Sequence, residues 1–598
     1  MNGHTSDVAG LISGGKLILD DVKRVAKIRD RGNSFRRRAQ LSNGAPRRLN
    51  EPRQDKRLIE LVAWQLDQAK VSFILEPGKK YVPYPSFAQI LTLDRVHQIV
   101  YNLQCFSGTP NKDQLARDIY YGSQSGTRAP CVKMLAILIG IDKAEDMADY
   151  MLKDKMTDDC LPLQRVAGND QQLLGCLTHG MHSKINEYFR PDYRERFCQW
   201  SYAVNAPYVA KKGSLHSHYI LDTGDVFPMD VVEAVEEKDH TDTTAKASQP
   251  DENTYGGFSE VFKVKLHDGH HDFGEHGIRH PQGFFALKKL TSHSKLTFDL
   301  ELSSLIITVQ QYTRKKHLIQ LLATFEVKNP ATKDSTFYLL FDWAEGSLNK
   351  FWECNSALVG NKNHCLWMAT QFYEISEALV CVHNDRAPTL RYLEDRNSNK
   401  ELYGRHGDIK PSNFLWFNQA NSLPGLLALS DFGLGRLHTQ VSRSKQDPKN
   451  IERTATYRCP EFDLPFGQVS PRSDIFSLGC VLLEYVTWFF MGLEAVEKVF
   501  PEVRSERDIY GFDSDVFFSI RNEQAYLKPA VAKWIEELQN RRDCSWYIWH
   551  LLEIIKLRML DPNGATRIPA NQLAREMNKL RATCLSEPDY FLGVRSRT

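Results

Sequence analysis

Paired cysteines are missing from this chain of 598 residues. Its twelve cysteines are scattered, with no Cys-x-x-Cys pair. Zinc frameworks and disulfide scaffolds are therefore disfavoured, and reduced, mostly buried thiols of an intracellular protein are expected. An excess of either charge is missing too. Lysine plus arginine number 76 and aspartate plus glutamate 74, a formal net charge of +2, which argues against a dedicated nucleic-acid binder. Residues 1–7, Met-Asn-Gly-His-Thr-Ser-Asp, lack the basic start and following apolar run of a secretory signal. Long apolar runs are scarce. Residues 476–493 come close to a short membrane span in length, but Glu484 sits at their middle, so a buried core helix is expected and no membrane is implied. No repeat recurs at solenoid or propeller spacing.

What is present is globular: 42% hydrophobic, 25% charged and 11% aromatic residues, in a chain long enough for two or more folded units. Residues 1–60 carry 14 Lys/Arg against 7 Asp/Glu, with Arg36, Arg37 and Arg38 in a row. They read as a basic, flexible segment, with a nuclear address as the alternative use of the arginines. Residues 61–229 read as a mostly helical domain. Leu58, Leu61, Val62, Trp64 and Leu66, and the apolar stretch 131–141, have helical spacing, while 200–229 turns strand-like around Gly213 and Gly224. Residues 230–252 hold eight acids and two lysines and read as a solvated linker. Residues 253–590 begin strand-like and become rich in helices.

Chemistry concentrates in this last unit. Thr254-Tyr-Gly-Gly-Phe-Ser-Glu-Val261 places Gly256 and Gly257 in a turn between strands, where backbone N–H groups approach phosphate oxygens because no Cβ intervenes; taken alone, a plain β-turn is the better reading. Phe285-Ala-Leu-Lys288 is a strand whose lysine suits two phosphates as a point charge, if an acid braces it. Glu301, on a helix marked by Phe298, Leu302 and Leu305, is the candidate brace. His406-Gly-Asp-Ile-Lys-Pro-Ser-Asn413 gathers Asp408 to accept a hydroxyl proton, Lys410 to neutralise a phosphoryl group and Asn413 to ligate magnesium. Asp431-Phe-Gly433, after the apolar Leu426-Leu-Ala-Leu429, offers a second metal position. Phosphoryl transfer is mainly positioning and charge neutralisation, and it needs this inventory.

Taken in order, these residues resemble the signature set of eukaryotic protein kinases. Cys459-Pro-Glu461 is similar to the family's Ala-Pro-Glu. Arg567 resembles the late arginine that pairs with that glutamate. Ser473-Asp-Ile-Phe-Ser-Leu-Gly479 resembles the Asp-x-Trp-Ser-x-Gly helix, with Phe476 in place of tryptophan. The resemblance covers about residues 253–585. It implies an α+β, bilobal kinase fold, with a small β-rich lobe and a helical lobe, behind the mostly helical N-terminal domain. It further implies ATP and Mg²⁺ as cofactors and protein substrates with Ser/Thr acceptors in an intracellular, cytoplasmic or nuclear setting. By resemblance Lys288 holds the α- and β-phosphates, Glu301 braces it, and Asp408 is the base or orienter. Asn413 and Asp431 bind magnesium, and Val261 and Ala286 sandwich the adenine. Phe341 is the gatekeeper, and the backbones of Asp342 and Ala344 read adenine. Lys410 is the serine/threonine pattern, and Thr454 is the threonine of the substrate-facing loop.

The departures are specific. Thr254 and Ser259 stand where the family has two of its three glycines, which narrows the approach to phosphate. Gly407 stands where most members have the arginine that receives an activation-loop phosphate, so activity independent of phosphorylation at Thr439, Ser442 or Ser444 is expected. A charged insert spans about residues 385–405. It reads as a solvated surface loop, while Tyr403-Gly-Arg-His-Gly-Asp-Ile-Lys-Pro411, with Phe341-Asp-Trp-Ala-Glu-Gly346 and Leu415-Trp-Phe417, is similar to a group of fungal kinase-domain proteins with a long N-terminal region. The alternatives are a pseudokinase or scaffold on the same fold, and a small-molecule kinase. The histidines at 267, 270, 271, 276 and 280 read as incidental surface groups. The 61–229 region carries no chemical motif and reads as a partner-binding or regulatory domain.

Overall fold

The computed structural model describes residues 56–593 with internal breaks, the longest being 236–259, 303–316, 384–404 and 432–455. The N-terminal helices are α1 (Lys56–Gln68), α2 (Leu93–Asn102), α3 (Lys112–Tyr121), α4 (Val132–Gly140) and α5 (Pro191–Ala203). Thr92 and Asn111 cap α2 and α3 by accepting from Arg95 N and Gln114 N, as short oxygen-bearing side chains do for the unpaired first-turn donors. Helix α4 is buried along nearly its whole length, so it is the axis around which the others pack. Val62 and Leu66 of α1 join this core, while Leu61 and Trp64 point outward. The strand expected at Ser201-Tyr-Ala-Val204 is instead the end of α5 and the turn after it.

Six strands form one sheet: β1 (Ser217–Asp222), β2 (Met229–Val235), β3 (Glu260–Leu266), β4 (Phe284–Lys289), β5 (Leu321–Lys328) and β6 (Ser335–Asp342), in spatial order β1-β5-β6-β4-β3-β2. All neighbours are antiparallel except β1, which runs parallel to β5 with His218 opposite Thr324. This changes the expected division of the chain. The boundary at 253 falls inside the sheet, and 230–235, read as linker, pair with 261–265 of β3. Residues 236–259 are the connection between two paired strands.

Period-two alternation sends the two faces of the sheet to different neighbours. Val264, Leu266, Phe285, Leu287 and Leu340 pack with Tyr81, Ala206 and Val209 of the upstream region. Leu339 and Phe341 turn the other way, into the large core of the helical lobe. The N-terminal domain thus lies on the outer face of the sheet. His270 pins it there: its ring accepts from Tyr84 N at 3.1 Å and bonds the Pro207 carbonyl at 3.0 Å. His270 is 0% exposed and His280 9%, so the surface reading of these histidines is corrected for both.

The second lobe is built on α6 (His364–His383), the hairpin β7 (Phe414–Gln419) and β8 (Ser422–Leu429), α7 (Arg472–Met491), α8 (Pro529–Gln539), α9 (Trp546–Ile554) and α10 (Ala570–Ser586). Helix α7 is long and apolar enough to cross a membrane, yet it is buried at every position between Ser473 and Phe490 except Ser477. It is the central core helix of this lobe, as Glu484 within it suggests.

Candidate active site

The segment 405–413 has no regular helix or strand before its last turn, and α7 holds its backbone. Asp474 accepts from His406 N at 2.8 Å and from Gly407 N at 2.9 Å, and its Oδ2 pairs with His383 Nε2 at 2.9 Å. Burial pushes the Asp474 carboxyl up, but His383 and His406 outweigh it and leave the group below the usual carboxylate range. The His406 ring bonds the Ser430 carbonyl at 2.9 Å, tying this segment to the exit of β8. Burial holds His406 below its ordinary pKa, which keeps it neutral near pH 7. Gly407 has φ +85°, a region L side chains rarely enter. That gives the glycine at this position a backbone reason.

Asp408, Lys410 and Asn413 converge from this loop. Lys410 Nζ lies 3.0 Å from Asp408 Oδ2. Asn413 Nδ2 donates to the same oxygen at 3.0 Å and to the Asp408 carbonyl at 2.7 Å. With its nitrogen so engaged, the Asn413 side chain has its oxygen as the atom that could ligate a cation. Ser430 N and Oγ both donate to the Asn413 carbonyl, at 2.9 and 3.1 Å, which sets Asp431 beside the loop. Asp431 has φ +57°, an uncommon conformation for a non-glycine residue and one that concentrates at functional sites.

Lys288 reaches Asp431 from the other lobe, Nζ to Oδ1 at 3.3 Å. Its charge is the first cause that holds the Asp431 carboxyl below the ordinary range. Val261 lies opposite Lys288 in the sheet, and Ala286 is two residues before it, so all three share the face turned toward the helical lobe. Phe341 pairs with Ala286 on that face. Asp342 ends β6 opposite Phe285, and Ala344 packs against Phe417, Leu426 and Ala428. The stretch after β6 is held to the other lobe by Glu345 N donating to the Trp416 carbonyl at 2.8 Å, and its Oε1 meets His280 Nε2 at 2.8 Å.

Glu301, Gly256, Gly257 and Thr454 lie outside the described residues, as do Thr439, Ser442 and Ser444. The Lys288–Glu301 contact expected from sequence thus falls outside the described residues. Sequence reasoning quoted Asp474 within a motif but gave it no role, and it missed His383 and His406 as supports. The signal was available for Asp474, a buried acid in the first turn of α7, just ahead of its apolar run. Glu461 and Arg567 meet as expected, Nη1 to Oε1 at 2.7 Å and Nη2 to Oε2 at 3.1 Å, with Arg567 fully buried.

The two lobes thus meet at a strand lysine, a loop that gathers Asp408, Lys410 and Asn413, and a carboxylate at a strand exit. The chain carries a protein kinase domain of the eukaryotic type: residues 276–491 match the protein kinase domain family. It is similar to the CTD kinase subunit alpha of Saccharomyces cerevisiae, at 31% identity over 34% of this chain and 36% of that protein. It is also similar to cyclin-dependent kinase 8 of Drosophila melanogaster, at 23% over 45% and 59%. A third relative is the probable LRR receptor-like serine/threonine-protein kinase RPK1 of Arabidopsis thaliana, at 27% over 39% and 35%. The chain spans between about a third and three fifths of the length of these relatives.

Proposed function

We propose that the chain is a serine/threonine protein kinase that transfers the γ-phosphate of Mg-ATP to protein hydroxyls. The observation that carries this reading is the convergence, across the two lobes, of Lys288 on Asp431 at 3.3 Å with Asp408, Lys410 and Asn413 alongside. Asp408 orients the acceptor hydroxyl and takes its proton. Lys410, already 3.0 Å from Asp408, neutralises charge that develops between acceptor and phosphoryl group. Lys288 holds phosphate oxygens. The hard oxygens of Asn413 and Asp431 fit Mg²⁺, which prefers carboxylate and carbonyl donors, and Asp431 is ionised and ready for it. When bound, the metal and nucleotide supply the phosphoryl group and offset its charge.

Lys410 two residues after Asp408 favours Ser/Thr acceptors, and the similarity to an Arabidopsis receptor-like serine/threonine-protein kinase points the same way. An intracellular setting accords with eight of the twelve thiols being buried. The second reading is a scaffold on the same fold, favoured by Thr254 and Ser259 in place of glycines. Incubation with Mg-ATP and a mixed Ser/Thr peptide library decides between them. Wild type is expected to transfer phosphate, and Asp408→Asn and Lys288→Met to lose at least a hundredfold, in line with the size of general-base and charge-stabilising contributions. Equal signals in all three remove the enzyme reading.

A further inference from the structure

Thr456 and Tyr457 lead into Cys459-Pro-Glu461, and both are tied to parts of the fold distant in sequence. Tyr457 OH donates to Glu484 Oε2 at 2.8 Å, and the Tyr457 carbonyl accepts from Ser477 Oγ at 2.7 Å. Both partners lie on α7, the helix whose Asp474 holds the backbone at His406 and Gly407. One rigid element therefore sets the distance between the Tyr457 segment and the Asp408 loop.

The other half of the arrangement comes from residues 493–528, the segment between α7 and α8. Arg504 of this segment is buried beside Glu484, Nη2 to Oε1 at 3.0 Å, and each side chain is 2% exposed. The same Nη2 lies 3.2 Å from Asp515 Oδ2, and Nε donates to the Asp515 carbonyl at 2.7 Å. The guanidinium lies against the rings of Phe500 and Phe517, at 4.5 and 4.6 Å from their centroids, two aromatic faces that suit its delocalised charge. Lys528 Nζ fixes the chain around it by donating to the Arg504 and Ser514 carbonyls, each at 2.8 Å. Asp515 then receives Thr456 Oγ1 at 2.7 Å through its other oxygen. The result is a closed circuit: Thr456 to Asp515, Asp515 to Arg504, Arg504 to Glu484, and Glu484 back to Tyr457.

A buried ion pair of this kind is not a cheap way to add stability, because desolvation offsets most of its attraction. What it does supply is one fixed geometry for every group it joins. We infer that Arg504 and Asp515 are positioning residues that hold Thr456–Tyr457 in the register that docks the acceptor peptide against Asp408, making this pair a determinant of acceptor specificity. The inference rests on the kinase reading, in which this stretch lies beside the substrate-facing loop. It concerns the peptide acceptor and leaves nucleotide binding to Lys288 and the sheet.

The test is steady-state kinetics of the full chain with Mg-ATP and a library of peptides carrying one central Ser or Thr among randomised positions. Asp515 is partly exposed, at 32% of its side chain, and Arg504 keeps Glu484 as its partner without it, so Asp515→Ala is the mildest cut in the circuit, with circular dichroism and the melting temperature checking that the variant is folded. Asp515→Ala and Thr456→Val are each expected to raise the acceptor KM about tenfold and to blur residue preference next to the acceptor, with the ATP KM unchanged. The double variant is expected to lose no more than either single one, because both cut the same link. Thr456→Ser keeps the hydroxyl and restores the wild-type profile. An unchanged acceptor KM and preference in an active wild-type background overturn this inference alone. So do losses that simply add, or equal changes in both KM values. Absence of transfer by wild type overturns the kinase reading and this inference together.

Discussion

Gly407 and Gly564 show how single atoms govern the site from beneath. Gly407 sits at φ +85° with its N–H on Asp474, so a side chain there costs about 1–2 kcal/mol of backbone strain. Gly407→Ala is expected to lower the unfolding free energy by that amount in denaturant titration, and an unchanged midpoint shows that the loop relaxes. A Cβ on Gly564 falls 2.2 Å from Glu461 Oε1, inside the pair with Arg567. Removing that partner outright is worse. Arg567→Met leaves Glu461 buried and uncompensated, and a loss of about 3–5 kcal/mol is expected, read as a fall in the urea midpoint. The Glu461–Arg567 pair was legible in the sequence because both residues sit in recognisable motifs. The need for glycine at 407 was not, because a sequence pattern carries no φ. The circuit through Arg504 was not legible either: Thr456, Glu484, Arg504 and Asp515 are scattered among unrelated segments, and only the fold brings them together.

At the scale of elements, β2 explains the largest misreading. Residues 230–252 look like a solvated linker by their acids, yet 230–235 are strand. The pairing of β2 with β3 slips between Val231 and Glu233, and such a bulge breaks the period-two pattern by which a strand is read. Strands β4 and β6 and helix α7 followed their sequence patterns closely, since each presents an unbroken apolar run to a core. The consequence is practical. A fragment of residues 251–598 lacks β1 and β2, which uncovers both β5 and β3 as edges and exposes the apolar outer face. That fragment is expected to aggregate on expression, whereas a fragment of residues 56–598 stays soluble. Equal solubility and equal melting in a thermal scan sink this expectation. Deleting the N-terminal domain is for the same reason not a clean test of regulation in cis.

Across the molecule, the N-terminal domain and the sheet share His270. Burial brings its pKa down to about 4, with His267, Lys133 and His271 acting in the same direction against the pull of the Pro207 carbonyl. Unfolded, the ring titrates near pH ~6.5. Between those values the unfolded chain binds the extra proton, so stability is full above about pH 6.5 and declines as pH falls toward 4. His364, brought by burial to about 3, adds to the same slope. His270→Gln is expected to flatten the fall in melting temperature between pH 6.5 and 4.5 relative to wild type, and parallel profiles refute the assignment. Glu326 is shifted in the same direction. Burial raises it, but hydrogen bonds from His218 and Lys295 bring it down to about 2, so the stability it contributes is full above the unfolded value near pH ~4.3 and is lost as pH falls from there toward 2.

The parallel pairing of β1 with β5 has a temporal side. His218 and Thr324 meet across 106 positions of chain, and contacts of such separation form late because a long loop must close first. During synthesis β1 and the helical domain before it emerge well ahead of β5, and domains fold N-terminal first. The kinase lobe is therefore assembled onto a surface already waiting for it, and the early half of the chain serves the later half as its template.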